Sequence, residues 1–167
     1  GDTLTIAYNV NLPSFDPTSG LSAVNPTIQA IYRSVFDQFI GQGPDLAFQP
    51  GLITAWGWSE DKKQVWMDVR EGVTWHDGSP FTADDIVWSL TRAADEKSGN
   101  PIQFIWSTVG NLKAEGNRVT GEVLRGDEAQ RIGMVNRAVP AAQLAEAAAA
   151  WAAELAALPT VAIGYIK

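Results

Sequence analysis

A chain of 167 residues, 46% hydrophobic and 19% charged, can bury the core of one domain, and this composition excludes wholesale disorder. The formal charge of −7 argues against nucleic acid and against anionic membrane surfaces, both of which call for lysine and arginine patches. With no cysteine there is no disulfide, thiolate metal site or cysteine nucleophile, and no run of about 18 apolar residues spans a membrane.

The opening GDTLTIAYN has neither the charged nor the apolar region of a signal peptide, an absence that a mature exported protein would share. Over TLTIAYNV, Leu4 and Ile6 alternate with Thr3 and Thr5, which predicts a short strand. The stretch NLPSFDPTSG then breaks it with two prolines and a glycine. Asn25-Pro26 opens a helix, with asparagine as N-cap and proline in the first turn, where its missing N–H costs nothing. Ile28, Ile31, Tyr32, Val35, Phe36 and Phe39 follow at helical spacing, which predicts one continuous buried face.

AWGWSEDKKQVWMDVREG reads as two strands around the polar turn Glu60–Lys63, with Val65, Met67 and Val69 alternating with Gln64, Trp66 and Asp68. NLKAEGNRVTGEVL is a second hairpin, turning at Glu115-Gly116-Asn117. Between them lies VTWHDGSPFTADDIVWSLTRAAD, which holds the chain's single histidine, His76. A metal site there would need further ligands at suitable spacing, and a nucleophilic triad would need a serine that the sequence does not nominate. A fastening role explains more residues. Asp77-Gly78 makes a tight turn, Thr82 and Asp85 form a shortened capping box, and Phe81 with Ile86 forms a hydrophobic staple. Asp84 and Asp85 then sit in the first helical turn, where the dipole favours negative charge. No catalytic residue is assigned, and no cofactor or metal is expected. GQGPDL is no dinucleotide fingerprint, and neither a phosphate-binding lysine loop nor a nucleophile elbow is present.

Composition changes along the chain. Residues 1–122 hold 15 acidic and 8 basic residues, and residues 123–167 four of each. Six of the seven tryptophans lie in the first part, and 14 of the 23 alanines in the second. This predicts two domains, 1–122 and 123–167. In the second, a short helix follows Gly126-Asp127 and ends at Gly133, and Met134–Val139 is extended. Pro140 starts a long helix that Pro159 closes. Leu144, Ala148, Trp151, Leu155 and Leu158 form a narrow seam along it, which suits an ordinary core-facing helix better than a coiled coil.

The first part resembles the family 5 extracytoplasmic solute-binding proteins of ABC transporters, which serve peptide and sometimes nickel or sugar import. The resemblance covers about residues 3–120. It rests on Trp58-Ser59-Glu60-Asp61, Val65 to Arg70, Gly72, His76-Asp77-Gly78, Pro80, Thr82-Ala83-Asp84-Asp85 and Arg92, and on the opening LTIAYNVNLPSFDPTSG. It implies a two-lobed binding protein with its ligand between the lobes, and an HDG segment in a supporting subdomain away from most ligand contacts. Residue-by-residue matching leaves Tyr8, Asn9, Leu12, Ser14 and Phe15 as a candidate cleft wall, the alternative being that Leu12 and Phe15 pack underneath. Family members are much longer, so one wall of such a cleft is expected to be missing, which would leave a strand edge and apolar surface exposed.

The tail, from about Thr120, resembles the C-terminal segment of the crotonase fold, the enoyl-CoA hydratase/isomerase superfamily. Ala129, Ile132-Gly133, Val135-Asn136, Val139-Pro140, Leu144, Leu155-Ala156, Pro159 and Lys167 carry this likeness. It implies a capping and self-associating helical segment, and the superfamily's oxyanion-hole and catalytic segments are not recognisable here. The expected fold is therefore an α/β (α+β) fragment of a periplasmic-binding-protein-like lobe, with strands and hairpins, followed by an all-helical crotonase-like tail in a chimeric chain. The expected function is binding of peptide or another small solute for ABC import, with a permease as partner if the protein is complete. The rivals are an acyl-CoA enzyme and a structural module without ligand. A periplasmic or extracytoplasmic location follows from the first resemblance, a cytoplasmic one from the second.

Overall fold

The computed structural model describes Thr3 and residues 5–157, and the chain forms two compact units, Gly1–Leu124 and Arg125–Lys167. The first unit opens irregularly. No strand forms over the described part of TLTIAYNV, Ile6 is exposed, and Leu4 lies outside the described residues. Alternation alone does not make a strand. A ladder needs a neighbour, and no strand among the described residues pairs with this stretch.

Helix α1 (Pro26–Tyr32) starts as its residues require: the Asn25 side chain accepts hydrogen bonds from the N–H groups of Thr27 (2.9 Å) and Ile28 (3.2 Å). It ends sooner than the apolar spacing suggests. Ile28 and Tyr32 are buried, whereas Val35 and Phe36 fall in a turn and are exposed, and Phe39 packs against the sheet core. The N–H groups of Val35 and Phe36 both donate to the Tyr32 carbonyl, which closes a tight turn in place of further helix. Valine and phenylalanine are weak helix formers, and a seven-residue helix has little cooperativity with which to carry them.

Strands β1 (Ile40–Gln42) and β2 (Phe48–Pro50) make a small antiparallel ribbon. A four-stranded antiparallel sheet follows, in the order β3-β4-β6-β5, from β3 (Ile53–Trp58), β4 (Gln64–Val69), β5 (Val109–Glu115) and β6 (Arg118–Val123). Both hairpins form where alternation and turn chemistry place them. At the first turn the Asp61 carboxylate accepts from the Ser59 hydroxyl (2.7 Å) and the Lys63 N–H (3.1 Å).

The segment between the hairpins covers one face of this sheet. Thr74 and Pro80 form an isolated bridge, closed by hydrogen bonds from the Trp75 N–H to Ser79 O (2.8 Å) and from the Gly78 N–H to Trp75 O (2.9 Å). Gly78 takes φ +86°, a conformation a β-carbon would strain. Helix α2 (Ala83–Ala94) follows at once. Its capping box is in place, the Asp85 carboxylate accepting from the Thr82 N–H at 2.7 Å. Both staple residues, Phe81 and Ile86, are buried in the core with Ile53, Val69, Ala83 and Val119. A short helix α3 (Gln103–Trp106) returns the chain to β5.

In the second unit, α4 (Gly126–Arg131) runs out at Gly133, whose φ is +77°. Met134–Asn136 bends, where an extended run is expected. Pro140 caps a single 3₁₀ turn, Ala141–Gln143, and only then does α5 (Leu144–Ala156) begin. The expected core-facing seam is not buried: α5 carries no buried residue, and Leu144 and Leu155 are exposed. Alanines supply helix propensity without the bulk that would draw the helix into a core. Leu158, Pro159 and Lys167 lie outside the described residues. No helix among the described residues is long and apolar enough to cross a membrane.

Candidate functional site

The loop that precedes α1 is tied to α2 by a long-range clamp. The Arg92 guanidinium forms an ion pair with Asp16, and its Nη1 also donates to the Thr18 hydroxyl (2.6 Å) and to Asp16 Oδ1 (3.2 Å). The Thr18 N–H donates to the same carboxylate at 2.9 Å. The Arg92 hydrogen bond is the main cause holding the Asp16 carboxyl far below the usual carboxylate range, against a smaller opposing effect of burial. Arg92 also lies over the Trp88 ring, 5.8 Å from its centroid, so one side chain joins loop, helix and aromatic surface.

Beside this clamp lies a groove of about 700 Å³, between α1 with the turn after it and the second half of α2. Its aromatic lining includes Tyr32, Phe36, Trp75, Trp88 and Trp106, and its polar groups include Arg33, His76 and Arg92. Trp88 and Arg92 share a helix face because they are four residues apart. Trp75 and His76 are presented by the Asp77-Gly78 turn, and an edge-to-face contact with the buried Phe81 (5.3 Å between centroids) holds the Trp75 ring. Asp77 is engaged within its own turn. Its carboxylate accepts from the Ser79 hydroxyl (2.6 Å) and N–H (2.9 Å), bonds that hold its pKa down. The arrangement suits stacking and charge-assisted hydrogen bonding. Among the described residues no group of three His, Cys, Asp or Glu could hold a metal ion.

The five residues nominated from sequence occupy a different surface. Tyr8, Asn9, Ser14 and Phe15 are exposed and Leu12 is half-buried, and none of the five lines the groove. Two bonds fix Ser14: its hydroxyl accepts from the Asp16 N–H (2.9 Å), and its carbonyl accepts from the Tyr32 hydroxyl (2.6 Å). The groove aromatics were not nominated from sequence. The signal that could have found them is the outward Trp88–Arg92 pair on a helix whose other face is already accounted for by Ala83, Ile86 and Ala93.

Comparisons with known proteins give a consistent picture. The family described as bacterial extracellular solute-binding proteins, family 5 middle, matches residues 47–148, so the match runs past the composition change into α5. A probable peptide ABC transporter periplasmic-binding protein of Sinorhizobium fredii is 34% identical over 109 residues, which are 65% of this chain and 19% of that protein. The periplasmic murein peptide-binding protein of Escherichia coli is 33% identical over 103 residues, 61% of this chain and 18% of that protein. The unliganded open form of the murein tripeptide-binding protein superposes with a TM-score of 0.56 at 25% identity, covering 66% of this chain and 24% of that one. A Campylobacter jejuni protein solved in complex with Ni(L-His) superposes with a TM-score of 0.60 at 20% identity, over 70% of this chain and 23% of that one. The matched part thus spans about a fifth of the length of these curated relatives.

Proposed function

The chain belongs to the family 5 bacterial extracellular solute-binding proteins, a family of binding proteins and not of enzymes, and on that premise we propose that it is part of a peptide-binding protein serving an ABC importer. Relatives named for peptides and for ABC transport support the ligand class and the permease partner, and relatives named as periplasmic support an extracytoplasmic site of action. The observation that carries the reading is the groove itself: Trp75, Trp88 and Arg92 on the turn–helix unit with Arg33 on the facing turn, open to solvent, which departs from the expectation that the HDG segment lies away from most ligand contacts. Tyr8, Asn9, Ser14 and Phe15 extend the proposal as a second contact surface, held in place by the Arg92–Asp16 clamp, while half-buried Leu12 fits a packing role.

Tryptophan fluorescence tests it, because Trp75, Trp88 and Trp106 all line the groove. A saturable change on titration with tri- and tetrapeptide mixtures is the expected result, reduced by Trp88→Phe. A folded sample with no saturable change overturns the proposal.

For the crotonase-like reading of the tail, the structural division after Leu124 marks a second unit but not its family. The family match through residue 148 weighs against that reading. Exposed Leu144 and Leu155 on α5 fit the self-association that this reading entails. A monomer by light scattering at high concentration would remove that part.

A further inference from the structure

We propose that the concavity between the turn after α1 and the corner joining β2 to β3 binds a single carboxylate carried on a small apolar group. It measures about 400 Å³, and its charged side chains are Arg33, Asp37 and Arg70. Phe36, Leu52 and Val73 supply apolar surface beside them.

Arg70 is preorganised. Its N–H donates to Leu52 O (2.8 Å) and its Nε to Gly51 O (3.0 Å), so backbone and side chain are both pinned to the corner. The corner is stiff in turn: the Leu52 N–H donates to Gln38 O (2.9 Å) and the Ile53 N–H to Phe39 O (2.8 Å). A β-carbon on Gly51 would lie 2.2 Å from the Gln38 carbonyl oxygen, so the two backbone segments are in close contact. With Nε occupied, the two Nη nitrogens remain as a fork and take no hydrogen-bond partner among the described residues. A fork of that geometry matches the two oxygens of a carboxylate.

Charge sets the class of ligand. Arg33 and Arg70 form no ion pair among the described residues, although the chain carries a net charge of −7. Two guanidinium groups facing one concavity repel each other, and Asp37 offsets one of them. A monoanion neutralises what is left, whereas a phosphate dianion would meet Asp37 with a charge in excess. Phe36, Leu52 and Val73 favour an aliphatic group beside the carboxylate. A free aliphatic acid and a peptide C-terminus both present this chemistry. The concavity shares Arg33, Phe36, Asp37, Gln38, Leu52 and Val73 with the groove and is set apart by Gly41, Gly51 and Arg70, so Arg70 is the residue whose response separates carboxylate capture here from peptide binding along the groove.

The test is an arginine Nε–Hε NMR titration of the whole chain with isovalerate, with neutral isovaleramide as control. A second arm compares acetyl-Ala-Leu bearing a free C-terminus with its C-terminal amide. Saturable shifts of the Arg33 and Arg70 signals with an acid, absent with its amide, are expected. The arm that saturates at lower concentration identifies the source. Arg33→Gln and Arg70→Lys should each weaken binding at least about tenfold, the loss of a charge-assisted hydrogen bond, and Asp37→Asn should tighten it. Arg33→Gln is an exposed substitution, so it keeps the test valid if Arg70→Lys perturbs the corner. Equal response to acid and amide, no saturable shift with either acid, no effect of Arg33→Gln, or weaker binding in Asp37→Asn would each overturn the proposal.

Discussion

Arg92 and Asp16 stand 76 positions apart in sequence and form an ion pair, closed by Thr18, that fastens the loop before α1 to the last turns of α2. Arg92→Met should release that loop and cost about 1 kcal/mol, the usual range for a part-exposed, hydrogen-bonded pair. Protection of the Thr18 amide in hydrogen exchange should fall with it. Unchanged Thr18 protection would show that the loop is held by other contacts.

The same pair makes an acid-dependent contribution to stability. The Arg92 hydrogen bond depresses the folded-state pKa of Asp16, so the contribution is complete above the unfolded-state value, near about pH 4, and is lost as pH falls below it toward the folded value. Urea denaturation at about pH 7 and about pH 3 should therefore show a loss for the parent chain that is smaller in Asp16→Asn. Several other carboxylates, including Asp61 and Asp77, are depressed by their own hydrogen bonds, so the variant keeps part of the slope.

The HDG turn separates a fold role from a chemical one. Gly78 sits at φ +86°, so Gly78→Ala should lower stability by about 1 kcal/mol or more through backbone strain. Exposed His76 makes no such contribution, and His76→Ala should leave the melting temperature unchanged within about 2 °C. A large loss from His76→Ala with a tolerant Gly78→Ala would reverse the assignment of roles.

What could be read from sequence was what neighbours in sequence decide. Asn25, Thr82 with Asp85, Asp77-Gly78 and the two hairpin turns each satisfy their hydrogen bonds within a few residues, so their structure follows from local chemistry. Where a distant partner decides, periodicity misled. The stripe from Ile28 to Phe39 is apolar throughout, but its later members serve a turn and the sheet core, not one helix face. The first strand needs a neighbour, and the α5 seam needs a partner surface, and nothing in their own residues supplies either. The groove is harder still, because Tyr32, Trp75 and Trp88 meet only once the chain has folded.

Helix α2 allows stability and binding to be separated on one element. Ile86 is fully buried against Ile53, Val69 and Val119, whereas Trp88, two residues on, is 66% exposed at the groove. Ile86→Ala removes three buried carbons and leaves a cavity, so it should cost about 2–5 kcal/mol, seen as a fall in denaturation midpoint at constant slope. Trp88→Ala removes mainly solvated surface and should change stability by no more than about 0.5 kcal/mol. Its effect should instead fall on the peptide titration. If Trp88→Ala destabilises as much as Ile86→Ala, the ring is a structural prop and not a groove wall, and the fluorescence response would then report unfolding.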